Sequence, residues 1–433
     1  MSNFRGLEMA KQALFAQQSA LYTTGHNISN ANTKGYSRQR VNFSTSTPYP
    51  AGSRNRPQIP GQLGTGVQIE TVERIRNRFL DEQFRVETSK AGYWETLADS
   101  LSRLENLLNE PSDSGLAKTF DQFWQSLQDL SVSPENSGAR SVVAHRGLAV
   151  AETMQYLSNT LKAHQEDIRR EIHVTISDAN SLIRQIHQLN EQILRLEPHG
   201  MLPNDLYDDR DRLIDELSNL MNIQVTYHRS SDSAPDIANG LVTITLVDEA
   251  GKEIGNPPIK LIDGEAEDPS ERYHEILVNQ NVTNMEIAGH DGLAIFNQMG
   301  QNGSIHALLH TYGYEANGVV VEGEYPSMLA TLNELATAFA MAFNEQHAAG
   351  IDLDGEQGID FFVFDDADPA SSITVNEEIL EDPNKIAAGA VGAGSRNGDN
   401  ATQLSLLFDQ PLEGLHGESV RDYFASAIGR LGV

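Results

Sequence analysis

Leu7, Leu14, Leu21 and Ile28 recur at every seventh position near the start of the chain, and the series stops at the Asn-rich run Asn27 to Tyr36. A repeat of seven keeps one narrow apolar stripe on the same side of a helix, which is the pattern of a seam between helices. Ala10, Ala13, Ala16 and Ala20 keep the neighbouring surface thin enough for close approach. The spacing predicts a helical arm over residues 1–41. It should stop sharply where Asn27, Asn30 and Asn32 can bond local backbone groups and Gly35 can take a positive φ. No other segment shares the period of this stripe, so its mate is expected on a neighbouring subunit or a further terminal helix, and the arm itself is expected to be poorly packed.

Four prolines (Pro48, Pro50, Pro57 and Pro60) predict an extended connector over 42–72, because proline at that density cannot continue a helix. A helical pattern follows from Glu73, with Tyr93, Leu97, Leu101, Leu104 and Leu108 on one face until Pro111, and a shorter one from Leu116 to Leu130 before Pro134. The longest periodic stretch runs from Ser137 to Leu196; at about 1.5 Å per residue it would span roughly 90 Å if unbroken. Glu197-Pro198-His199-Gly200 ends it, and Asn204 to Leu220 predicts a helix capped by Asn204 or Asp205. Residues 73–221 thus form the first part of a long-helix rod domain. At Asn222 the period changes from about 3.6 to 2, through Val225, Tyr227, Val242–Val247 and Ile276–Val278, which predicts an inserted β-rich domain over 222–300. Helical periodicity returns at Ile305–Leu309 and Met328–Phe343, so residues 301–433 go back to the rod domain with loops. The expected fold class is multidomain and mainly α: an elongated helical-bundle rod domain with an inserted β-rich domain and an N-terminal heptad arm.

At 433 residues the chain has room for about three domains. Its 31 basic and 61 acidic residues give a net charge of -30, which repels phosphate backbones and anionic lipid, so no nucleic acid partner is expected. The chain has no cysteine, which rules out disulfides and thiolate metal sites and suits a chain exported unfolded. The first 30 residues lack the apolar core of a cleaved secretory signal, and nowhere do 18 apolar residues run together, so no membrane insertion is expected.

Candidate chemistry is sparse. Asp208, Asp209, Asp211 and Asp215 look like a metal cluster, but Arg210 and Arg212 supply adjacent counter-charges and Leu213 and Leu217 claim the core, so a solvated, salt-bridged helix is expected. The Asp352 to Asp360 stretch alternates carboxylates around Gly355, yet its glycine stands fourth rather than sixth and no glutamate stands twelfth, so a tight loop is expected rather than a calcium site. Gly392 to Gly398 lacks the spacing of a dinucleotide loop. Neither a Gly-x-Ser-x-Gly elbow nor a His-Glu-x-x-His helix is present, and His164, His173 and His187 stand too far apart on one helix to converge on an ion. No metal, cofactor or enzymatic role is expected. A secreted calcium-binding adhesin or hydrolase built on the β domain stands as the reading from another class.

The string Asn27 to Gln39, NISNANTKGYSRQ, following Gly6-Leu7 and the Ala/Leu heptads, resembles the opening of bacterial flagellar axial proteins. Its Gly-Tyr-Ser-Arg-Gln ending is similar to the FlgK family of hook-filament junction proteins. Asp121-Gln122-Phe123-Trp124, Asn204-Asp205-Leu206 with Arg210-Asp211-Arg212-Leu213, Asn344-Glu345-Gln346-His347, Gly350 to Gly355, Gly398-Asp399-Asn400 and Tyr423 to Gly432 continue that resemblance in order. It implies a structural subunit of the bacterial flagellum, extracellular and exported by the type III route without a cleaved signal peptide, that joins hook to filament. The implied partners are further copies in a ring-like junction, the hook protein, the second junction protein and an export chaperone. Leu7, Leu14, Leu21 and Ile28 would supply the apolar assembly contact, and Asn27, Asn30, Asn32, Gly35 and Tyr36 would set where the arm turns. The family finishes with a second heptad helix packing along the first and carrying the chaperone site, which this chain is expected to lack. A rod or hook subunit is the near alternative; those share the Asn-rich stop but not the long helix followed by Asn204 to Leu213.

Overall fold

In the computed structural model, which describes residues 2–108, 115–278, 285–287, 296–315 and 321–430, the heptad stretch is a single helix, α1 (Ser2–Ser29). After it, β1 (Gln39–Thr45) pairs antiparallel with β2 (Val67–Arg74), Val41 opposite Val72 and Thr45 opposite Val67. The expected connector over 42–72 is therefore the body of a hairpin. Its prolines, which cannot donate to a ladder, all fall in the loop between the strands, where Tyr49 bridges Leu63, while the alternating Val41, Phe43, Ile69 and Val72 remain free to pair. Because β2 runs to Arg74, the next helix, α2, starts at Arg78 rather than Glu73 and continues to Leu108. Then come α3 (Leu116–Val132), α4 (Ser137–Leu196) and α5 (Asn204–Leu220). The expected cap on α5 is absent: Pro203 occupies the N-cap position, and the Asn204 side chain donates instead to the Val72 carbonyl at 2.9 Å.

Contacts gather the chain into two compact units, the first holding Met1–Trp94, Val174–Asn279 and Asn284–His306, the second Glu95–His173 and Ala307–Val433. This differs from the division expected at 221/222. In the first unit, β3 (Ile223–His228), β4 (Leu241–Leu246) and β5 (Lys260–Ile262) form an antiparallel sheet in that order, and β6 (Ile276–Val278) pairs with β7 (Met285–Ile287). The strands belong with the helices because α4 bonds backbone that the strand ladders leave free. Asn190 donates to the Val242 carbonyl at 2.9 Å, and Asn180 both donates to the Ile276 carbonyl and accepts from its N–H, at 2.9 and 2.8 Å. Each amide side chain stands in for a missing strand. Parts of the expected β domain, 279–284 and 288–295, lie outside the described residues.

The second unit is built on an aromatic cluster. Phe120, Phe123 and Trp124 of α3 meet Phe339 and Phe343 of the helix Glu324–Ala348, with Phe361, Phe362 and Phe408 closing the group at ring separations of 4.8 to 6.5 Å. Gly147 of α4 is small because a Cβ there would lie 2.7 Å from the Phe361 ring. Beneath the cluster His347 is fully buried; its Nε2 accepts from the Ala387 N–H at 2.9 Å, so Nδ1 carries the proton and donates to the Ile359 carbonyl at 2.6 Å. The Asp352 to Asp360 stretch is a turn, with the Asp352 side chain accepting from the Glu356 N–H at 2.8 Å and Gly355 at φ 86°.

Burial pushes the His347 imidazole down from 6.5 to about 4, and its Nε2 contact requires the neutral form. A depressed histidine contributes stability that is complete above its unfolded value and is lost as pH falls through 6.5 toward the folded value. Thermal unfolding followed through buried Trp124 should therefore show a midpoint that drops between pH 6.5 and 4. His347→Gln, which cannot titrate, should flatten that dependence, and an unchanged slope would contradict the assignment.

Candidate assembly surface

α1 has two faces. Ala16 is buried, and Ala13, Ala20, Thr23 and Asn27 are half-buried on the side that packs against β1 and β2. The small residues thus permit close approach to the chain's own hairpin. The stripe Leu7, Leu14, Leu21 and Ile28 faces solvent with 67 to 72% of each residue exposed, and Phe4, Phe15 and Tyr22 are exposed beside it. One side of α1 is thus an exposed apolar stripe at heptad spacing, the pattern that a seam between helices uses.

The end of the arm is fastened by side-chain amides. Asn27 donates to the Gln39 carbonyl at 2.8 Å and accepts from its N–H at 2.9 Å, and it also accepts from the Tyr36 hydroxyl at 2.8 Å. The same hydroxyl lies 2.9 Å from His26 Nδ1. Asn30 donates back to the His26 carbonyl at 3.1 Å and accepts from the Thr33 hydroxyl at 3.2 Å. Asn32 is exposed. Gly35 sits at φ 82°, where a side chain would be strained and would press on Arg212. Burial, then the nearby Asp205 and Asp208 carboxylates, raise the Tyr36 hydroxyl above its ordinary value, so it stays protonated as the donor to Asn27.

Below this turn lies a network that sequence reasoning placed in solvent. Asp208 and Asp211 of α5 are buried, and their partners come from β2 and α2 rather than from Arg210 and Arg212. Arg74 spans both carboxylates, at 2.7 Å to Asp208 and 2.8 Å to Asp211. Arg76 bonds Asp81 at 2.7 Å and Asp215 at 3.2 Å, and Arg85 bonds Asp215 at 2.7 Å. Asp208 also accepts from the Ser37 N–H at 3.1 Å, so one carboxylate ties the first residues after the arm to α5. Arg210 turns away to the Gly240 carbonyl and Asn190, at 2.7 and 3.0 Å, and Arg212 pairs with Glu216 at 3.0 Å. The spacing of 208, 211 and 215 on one helix face, with Arg74-x-Arg76 ending a strand, was the available signal. Among the described residues no group of three or more acidic or histidine side chains is placed to hold a metal ion, and no helix is long and apolar enough to cross a membrane.

Burial alone would raise the Asp211 carboxyl, but Arg74, Arg76, Arg210 and Arg85 outweigh it and hold the group below the ordinary carboxylate value. A depressed carboxyl contributes stability present above its unfolded value and lost as pH falls through the folded one, so the contribution of Asp211 is kept at neutral pH. Removing one member at neutral pH leaves buried guanidinium groups uncompensated. Asp211→Asn should cost about 3 to 5 kcal/mol in denaturant unfolding. Lys34→Ala, which removes an exposed 4.0 Å pair with Glu216, should leave stability unchanged. Equal effects from the two variants would contradict this assignment.

Comparison with known proteins matches this architecture. The family model of the flagellar hook-associated protein FlgK helical domain matches residues 101–362, and that of the flagella basal body rod protein matches residues 7–36, the span from the first stripe residue to Tyr36. Flagellar hook-associated protein 1 of Bacillus subtilis (strain 168) is 41% identical across 100% of this chain and 86% of its own length. The Salmonella typhimurium protein of the same name is 29% identical over 82% of this chain, which spans 58% of that relative. The solved flagellar hook junction protein FlgK from Burkholderia pseudomallei shares the fold, with a TM-score of 0.51 and 21% identity over 66% of this chain and 47% of that one. With a family model over more than half of its residues and a close relative along its whole length, the chain belongs to the FlgK family of flagellar hook-associated proteins, structural subunits of the flagellum.

Proposed function

We propose that this chain works at the junction of hook and filament, outside the cell, and that it assembles through the exposed face of α1. The observation that carries this reading is the two-sided arm: small residues seat it on the hairpin, and Leu7, Leu14, Leu21 and Ile28 are left uncovered at a spacing that suits neighbouring helices. Asn27, Asn30, Gly35 and Tyr36, with Asn32 on the exposed side, set the direction in which the arm leaves the body. Contacts of this kind are heterologous, one surface meeting a different one on the next copy, and they build rings or helices rather than closed dimers. Further copies, the hook protein and the second junction protein are the proposed partners, reached by export without a cleaved signal. The rod or hook alternative is less favoured, since the likeness to rod proteins covers only the arm, whereas the junction family accounts for the long helix and α5.

In cells lacking the protein, hooks should form while flagellin is released as monomers, and the wild-type chain should restore filaments. Leu14→Asp with Leu21→Asp, which places charge on the stripe without touching the packed Ala16 face, should reproduce the defect and cut filament number at least tenfold, scored by electron microscopy. Normal filaments in that variant would overturn the reading.

A further inference from the structure

Charge is divided sharply along the chain. Residues 1–69 hold seven of the 31 basic residues but only one of the 61 acidic ones, Glu8, leaving 24 basic and 60 acidic residues for the remainder. Two bodies this acidic repel each other, so contacts between copies gain wherever unpaired cations project. Arg54 and Arg56 do so from the exposed hairpin loop, and among the described residues no ion pair or hydrogen bond engages either guanidinium. The loop is bent by backbone bonds from the Arg56 N–H to the Ser53 carbonyl at 3.3 Å and from the Ile59 N–H to the Pro57 carbonyl at 3.0 Å, and it leaves Ile59 and Leu63 41% and 55% exposed. A loop already held by its own backbone bonds and prolines binds with less ordering cost than a free one.

A complementary surface exists on the second unit. The helix Glu324–Ala348 contributes Ala338, Met341 and Ala342 to the floor of a groove of about 820 Å³, completed by Phe362, Val363 and the Pro411–Gly414 turn. Met341 is 61% and Val363 40% exposed. Exposed carboxylates of Glu345, Asp360 and Glu413 stand around this apolar floor, and among the described residues no lysine or arginine lines it. An apolar channel edged with acid suits a projecting loop that carries arginines beside exposed apolar residues.

We propose that this groove receives the loop 51–63 of a second copy of the chain, Arg54 and Arg56 meeting the acidic edge while Ile59 and the prolines cover the floor. The inference rests on the reading of the chain as an assembling subunit. It adds to the α1 seam a second contact, which runs from loop to groove and so repeats from copy to copy.

The absence of cysteine makes the contact directly measurable. Gln58→Cys and Pro411→Cys, introduced at exposed positions in two separate chains, should yield a disulfide-linked dimer when both are expressed in cells assembling flagella, and none when either is expressed alone. Adding Arg54→Glu with Arg56→Glu should lower the yield about tenfold, and Glu345→Arg with Glu413→Arg should restore it. No dimer in cells bearing a normal number of filaments overturns the proposal, as does a yield indifferent to the charge reversals. A link formed only inside a chain carrying both cysteines also overturns it, by making the loop a cover for its own groove. Filament number reports the arm and the cross-link reports the loop, so failure of one is distinguishable from failure of the other.

Discussion

The arm depends on the ion network along α5. A helix that packs one side on a thin hairpin and exposes the other gains too little to order itself alone. At its base Asp208 holds both Ser37 and Arg74 while Asp211 and Asp215 gather Arg74, Arg76 and Arg85. Such a cluster adds little net stability over an apolar core of the same size, because desolvation offsets the attraction. Its gain is geometric: forked guanidinium groups meet paired carboxylates in few arrangements, which fixes β2 and the start of α2 against α5.

On this footing the two heptad series of α1 divide the work. Alanine and threonine face inward and let the backbone lie close to β1 and β2, and leucine and isoleucine face outward. The Asn-rich stop joins the two: Asn27 copies a strand's hydrogen bonds to Gln39, so the helix ends by docking onto the hairpin rather than by fraying. Asn180 and Asn190 of α4 repeat the device on β6 and β4. Asparagine side chains are how this chain joins helices to strand backbone.

Much of this was legible in the sequence, because helix boundaries follow from periodicity and proline. α4 and α5 occupy the stretches that their apolar repeats mark, and the Pro134 and Pro198 breaks fall where expected. Two features were not legible. The connector between residues 42 and 72 pairs as strands, since proline density reports the loop and masks the short alternating runs on either side. Asp208 and Asp211 were assigned to solvent because their partners are more than a hundred residues away in the chain, and local spacing offered only Arg210 and Arg212. The family likeness pointed to the arm as the assembly surface, but which face is used for the hairpin and which is left over is a property of tertiary packing.

Amide hydrogen exchange tests the central claim most directly, by comparing the free chain with the same chain assembled on hooks. In the free chain, amides of β1, β2 and α5 should be slow while those of residues 4–22 exchange within the earliest time points. On assembly, protection should spread along α1 from Leu7 to Ile28. Equal protection of α1 in both states, or fast exchange of the β2 and α5 amides in the free chain, would contradict an arm anchored at its base and completed by its neighbours.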